Sequence, residues 1–124
     1  MFRNILSAVL ILAAVTLTAQ SSSKAPATSR TPFTVVEATI PEMRAAMEQH
    51  RTTSREIVRQ YLDRIATYED RLHAAITVNP KALDLADERD RERAQGRIRG
   101  PLHGIPVALK DNVHTTFMRT TGGA

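Results

Sequence analysis

The stretch that decides the fold is Gly100-Pro101-Leu102-His103-Gly104-Ile105-Pro106-Val107-Ala108-Leu109-Lys110-Asp111-Asn112-Val113. Glycine and proline at 100, 101 and 104 make a stiff turn. Ile105 to Leu109 is a compact apolar run with Pro106 near its start, where a strand tolerates proline, so it reads as a buried strand. That strand delivers Lys110 to its end, the position where α/β sheets build sites. Beside Val107, Ala108 and Leu109 the amine is expected to be partly desolvated. Desolvation favours the neutral form, which can act as a general base. On spacing alone, a lysine at a strand end is ordinarily a solvated cation.

Upstream, the same α/β alternation recurs. Thr39-Ile40-Pro41-Glu42 has the form of a capping box, and a short helix with Met43, Ala46 and Met47 on one face should follow. Thr53-Ser54-Arg55-Glu56 is a second capping box. It opens the clearest helix, whose stripe is Ile57, Val58, Tyr61, Leu62, Ile65 and Tyr68. Ala74 to Val78 reads as a strand. Asn79-Pro80 should cap a third helix from about Pro80 to Gln95, with Gly96 as its stop and Asp87 paired to Arg91 at four-residue spacing. The charged run from Asp87 to Arg93 reads as a solvated helix face. The order is helix, helix, strand, helix, strand: the beginning of an α/β fold. Two strands cannot bury both faces of a parallel sheet, so the fold reads as interrupted.

The N-terminus has the three-part layout of a secretory signal peptide over residues 1–19: Arg3, an apolar run from Ile5 to Leu17, then a small residue at Ala19. That run is too short to span a bilayer comfortably. Residues 20–32, rich in Ser, Thr, Ala and Pro, read as a flexible linker. Export to the periplasm or the medium is therefore expected, with no stable membrane insertion once the signal is cleaved.

Among 124 residues there is no cysteine, which excludes disulfides, thiolate nucleophiles and cysteine-based zinc sites. The four histidines, His50, His73, His103 and His114, show no metal-ligand spacing, and neither metal nor cofactor is expected. Formal net charge is +4, but acidic and basic residues interleave, so no nucleic-acid partner is expected. His103 reads as a structural hydrogen-bonding residue. Asp111 and Asn112 should satisfy backbone groups beyond the strand, and Gly122-Gly123 reads as a turn, not a phosphate cradle.

The string PLHGIPVALKDN, followed by Thr120-Thr121-Gly122-Gly123, closely resembles the amidase signature family. Upstream, Thr39 to Gln49, Thr53 to Tyr68 and Ala74 to Arg93 resemble that family's first helices, strand and following helix. The likeness thus covers nearly all of Thr39 to Ala124. It implies the N-terminal part of the amidase signature fold, helices plus the first strands of a mixed central sheet, incomplete, over residues 33–124. It also implies a triad of two serines and a lysine. Lys110 matches the lysine, acting as base through a bridging serine on a cis peptide bond. The nucleophilic serine attacks an amide or ester carbonyl, and backbone N–H groups of a Gly/Ser-rich loop form the oxyanion hole. Both serines are expected downstream of Ala124; Ser21 to Ser23, Ser29 and Ser54 offer no substitute. His114, where an acidic residue is common, and Gly123-Ala124, in place of Gly-Ser, depart from the pattern. The resulting expectation is hydrolysis of a small-molecule amide in a longer enzyme, with this chain inactive alone. Two alternatives stay open. One is a protein like the glutamyl-tRNA amidotransferase subunit that frees ammonia from glutamine, against which the signal peptide speaks. The other is a small secreted, non-catalytic helical binding protein.

Overall fold

A computed structural model describes residues 32–123. The expected signal peptide (1–19) and the expected linker (20–32), apart from Pro32, lie outside the described residues.

Three helices form, each where local chemistry starts one: α1 (Ile40–Glu48), α2 (Ser54–Leu72) and α3 (Ala82–Ala94). Both capping boxes are present. The Thr39 hydroxyl accepts from the Glu42 N–H, and Glu42 Oε2 accepts from the Thr39 N–H at 2.7 Å. Thr53 and Glu56 repeat the exchange at 3.1 and 3.0 Å. Each reciprocal pair satisfies donors that the first turn leaves open. α1 closes in a Schellman motif on His50, at φ 53°: His50 N–H donates to Met47 O and Arg51 N–H to Ala46 O. α3 closes the same way on Gly96, at φ 72°, with Gly96 N–H on Arg93 O and Arg97 N–H on Glu92 O.

Helix α3 starts two residues later than its sequence suggests. The Asn79 side chain accepts from the Lys81 N–H at 2.9 Å and its carbonyl from Ala82 at 3.0 Å. This local turn takes up residues 79–81 before helical bonding begins. Asp87 does not pair with Arg91 either. Its carboxylate binds Arg55 in the first turn of α2 and so links two helices.

The core is small. Val35, Met43, Met47 and Ile57 are buried together, with Phe33, Ala38, Tyr61 and Ile105 packed against them. Gln60 of α2 holds the entering chain as a neighbouring strand would: its Oε1 accepts from Val35 N–H and its Nε2 donates to Phe33 O. α2 also packs against α3. The junction is polar, with Asp90 accepting from the Ser54 and Arg55 N–H groups at 2.8 and 3.0 Å.

Neither expected strand is a strand among the described residues. Ala74–Val78 and Pro106–Leu109 both border one open cleft, with Val58, Tyr61, Leu62 and Ile65 of the α2 stripe on its wall. No backbone ladder joins them. A strand exists only through pairing, and here each run faces neither a partner strand nor a covering layer. Ile76 is accordingly 66% exposed and Val107 61%. The described fold is helical, and the two apolar segments are unpaired.

Candidate active site

Two side-chain bonds from the helices hold the turn before Lys110. Ser54, buried at the start of α2, donates its hydroxyl to the Gly104 carbonyl at 2.6 Å. Gly104 sits at φ 81°, and a Cβ there would meet Ser54 Cβ at 3.1 Å and Oγ at 3.2 Å. Glycine is thus required twice, by backbone conformation and by close approach. Arg93 of α3 donates to the His103 carbonyl at 2.9 Å.

His103 is buried, as its structural reading requires. Its Nδ1 accepts from the Arg99 N–H at 3.3 Å, which leaves Nε2 to donate to the Arg89 carbonyl at 2.9 Å. The bonds therefore define the Nε2–H tautomer. Beside it lies Glu92, which the charged run had marked as solvated but which is buried. Two guanidiniums make that burial possible. Arg99 binds both Glu92 oxygens and Arg89 donates to Oε2 at 2.6 Å. Arg99 first, then Arg89, hold the Glu92 carboxyl at about 2 against an ordinary 4.5, with burial opposing them.

Beyond this turn the chain runs along the cleft, of about 540 Å³, to Lys110. Lys110 is exposed, and its ammonium has no hydrogen bond or ion pair among the described residues. The expected desolvation by Val107 and Leu109 is not met, because both are themselves more than half exposed. What is fixed is the backbone: the Lys110 carbonyl accepts from Val113 N–H at 2.8 Å.

Asp111 does what its position suggested. Its Oδ1 accepts from Thr121 N–H at 3.1 Å, and its Oδ2 from the Thr121 hydroxyl and from Gly123 N–H at 3.1 Å. Its carbonyl accepts from Gly122 N–H. The anion seated on Gly122-Gly123 is therefore the chain's own carboxylate, in keeping with a turn. These bonds, the Thr121 hydroxyl foremost, hold the Asp111 carboxyl below its ordinary value; burial opposes and Lys110 adds a small contribution. Asn112 makes no side-chain hydrogen bond among the described residues, so only the aspartate of the pair serves the backbone. Ser54, the one serine among them, is committed to Gly104. No three His, Asp or Glu side chains gather as a metal site among the described residues. No described helix is long and apolar enough to cross a membrane.

Sequence reasoning missed Ser54, Asp90, Glu92 and Arg99 as builders of the turn. Each acts on a partner distant in the chain or on a neighbouring element, and spacing gives no sign of that.

The motif, the helices leading to it and the loop that follows it define a class. The family model described as Amidase matches residues 56–124, and the chain belongs to the amidase family. The native peptide amidase of Stenotrophomonas maltophilia superposes with a TM-score of 0.68 at 46% identity, over 70% of this chain and 18% of that one. A Schizosaccharomyces pombe protein named as an amidase is 45% identical over 93 residues, 74% of this chain and 16% of its own length. A glutamyl-tRNA(Gln) amidotransferase subunit from Natranaerobius thermophilus is 42% identical over 86 residues, 68% of this chain and 18% of its own. The chain thus spans less than a fifth of the length of these relatives.

Proposed function

We propose that this chain is the N-terminal part of an exported amidase that hydrolyses a small-molecule amide, and that Lys110 is its catalytic base. The observation that carries this is Lys110 itself. It lines an apolar cleft, on a turn closed by the Lys110 carbonyl and Val113 N–H, within the segment that matches the amidase family. In the Ser-cisSer-Lys scheme that the family resemblance implies, the neutral amine takes a proton from the bridging serine. The bridging serine in turn takes one from the nucleophile. The nucleophile's oxygen bonds to the amide carbon, the C–N bond breaks, and the amine or ammonia leaves with the relayed proton. Water then hydrolyses the acyl-enzyme. This chain supplies the lysine and not the serines, so residues 33–124 alone should be inactive.

The finer parts of the reading follow from the same proposal. Ala74–Val78 and Ile105–Leu109 become strands of a mixed central sheet once partners pair with them, and pairing covers Val107 and Leu109 and desolvates Lys110. Residues 1–19 are removed as a signal peptide, 20–32 act as linker, and the enzyme works in the periplasm or outside the cell.

The likeness to the glutamyl-tRNA(Gln) amidotransferase favours a second reading, in which the amide is glutamine and the ammonia passes to an acceptor. Location separates the two, because the leader argues for export. The test is ammonia release by the full-length protein from simple amides and from glutamine, together with fractionation of the producing cell. Release from amides by an exported protein lacking residues 1–19 supports the amidase; glutamine-specific release by a cytosolic protein that retains Met1 supports the second reading.

A further inference from the structure

The loop after Lys110 is closed mostly by side chains, with one backbone bond at its base from Gly122 N–H to the Asp111 carbonyl. At its base, the Asp111 carboxylate takes Thr121 N–H, the Thr121 hydroxyl and Gly123 N–H, the last across twelve positions of chain. One step in, the Thr120 hydroxyl donates to the Val113 carbonyl at 3.4 Å. Nearest the tip, the Thr115 hydroxyl accepts from Met118 N–H at 3.2 Å and donates to Met118 O at 3.0 Å. The rungs nest, and Lys110 is the residue immediately outside the first of them. Two backbone bonds, Val113 N–H to the Lys110 carbonyl and Gly122 N–H to the Asp111 carbonyl, complete the restraint; among the described residues the Lys110 ammonium is unpartnered and its flanking apolar residues are exposed.

We propose that Asp111 is a positioning residue for Lys110: its carboxylate fastens the Thr121–Gly123 segment back onto the Lys110 turn, and this clasp sets where the amine stands. The inference rests on the reading of Lys110 as base. Three features make Asp111 fit the task. A carboxylate offers two oxygens, and here both are used toward one short segment. Charge-assisted bonds to backbone N–H groups are stronger than neutral ones. The Lys110 carbonyl is already fixed to Val113, so displacement of Thr121–Gly123 is transmitted over a single residue to the Lys110 Cα. An amide side chain cannot replace the carboxylate, because in either orientation its NH₂ would face a backbone N–H donor, that of Thr121 or of Gly123. The Thr121 hydroxyl is the second arm of the clasp, and serine can replace it where valine cannot.

The experiment is steady-state kinetics on the full-length protein with wild type, Lys110→Ala, Asp111→Asn, Thr121→Val and Thr121→Ser, read with a primary amide substrate. Amide hydrogen exchange at Thr121 and Gly123 is measured in each. The clasp predicts that Asp111→Asn and Thr121→Val lower kcat roughly 10- to 100-fold with KM within about threefold, as misplacement of a catalytic group does. It also predicts that Thr121→Ser restores most of the loss, and that exchange at Gly123 speeds up in Asp111→Asn. Wild-type kcat in both Asp111→Asn and Thr121→Val, with Lys110→Ala inactive, overturns the clasp and leaves the base intact. Equal losses in Thr121→Ser and Thr121→Val overturn it as well, because the hydroxyl would then be irrelevant. Undiminished turnover in Lys110→Ala overturns the reading beneath it, whatever the exchange data show.

Discussion

Gly104 and Gly96 are both left-handed, yet they should respond differently to the same change. A methyl group at Gly96 meets nothing within 4 Å, so Gly96→Ala costs only the conformational term, about 1 kcal/mol. At Gly104 the methyl group also presses on Ser54, itself bonded to the Gly104 carbonyl, so Gly104→Ala should cost about 2–4 kcal/mol. Paired thermal melts of the full-length protein check the difference, and equal losses would mean that the Ser54 contact carries no weight. Glu92 gives a pH prediction at the same scale. Its carboxyl is held at about 2 in the folded state, below the ordinary 4.5. Its contribution is therefore complete above the ordinary value and lost as pH falls from there through about 2. Glu92→Gln should weaken the protein near neutrality and flatten the acid dependence of stability over that window; an unchanged acid profile would remove Glu92 from the account. Part of this was legible at residue level. The Gly100–Gly104 turn announced itself, and His103 was recognisable as structural. Glu92 was not, because a charged run looks the same whether its carboxylates meet water or a pair of arginines.

Helix starts were the most legible elements, because a capping box is a local exchange among four residues. Both expected boxes are made. Helix junctions were not legible. Asp90 lies on α3, yet it accepts from the first two N–H groups of α2, where a carboxylate also meets the positive end of the helix dipole. Asp90→Ala should therefore lower stability by about 1–2 kcal/mol, and Asp90→Asn by less. Chemical denaturation of the two variants checks this, and a loss in Asp90→Ala no greater than that of an exposed α3 site such as Arg91→Ala would contradict it. The expected strands fail for the opposite reason. Ile105–Leu109 has a strand's composition, but pairing is a property of two segments, and the described residues bring no partner to it. Composition can nominate a strand; only a neighbour makes one.

Among the described residues, the buried cluster of Val35, Met43, Met47 and Ile57 with its half-buried neighbours is too small to cover the apolar surface that these residues carry. Leu72, Ile76, Val107, Leu109 and Phe117 all stand open, the last 61% exposed. Exposed apolar area on this scale calls for a covering layer. Residues 33–124 expressed alone should accordingly bind a hydrophobic dye and lack a cooperative melt. A sharp two-state transition would favour the reading as an independent binding protein. The family was readable from the string around Lys110, while the interactions that hold that string in place came only from three dimensions. The central claim is the role of Lys110, and kcat/KM for amide hydrolysis by the full-length protein with Lys110→Ala tests it most directly. A loss of at least ~10³-fold with an unchanged melting temperature is the predicted result; turnover within tenfold of wild type would contradict it.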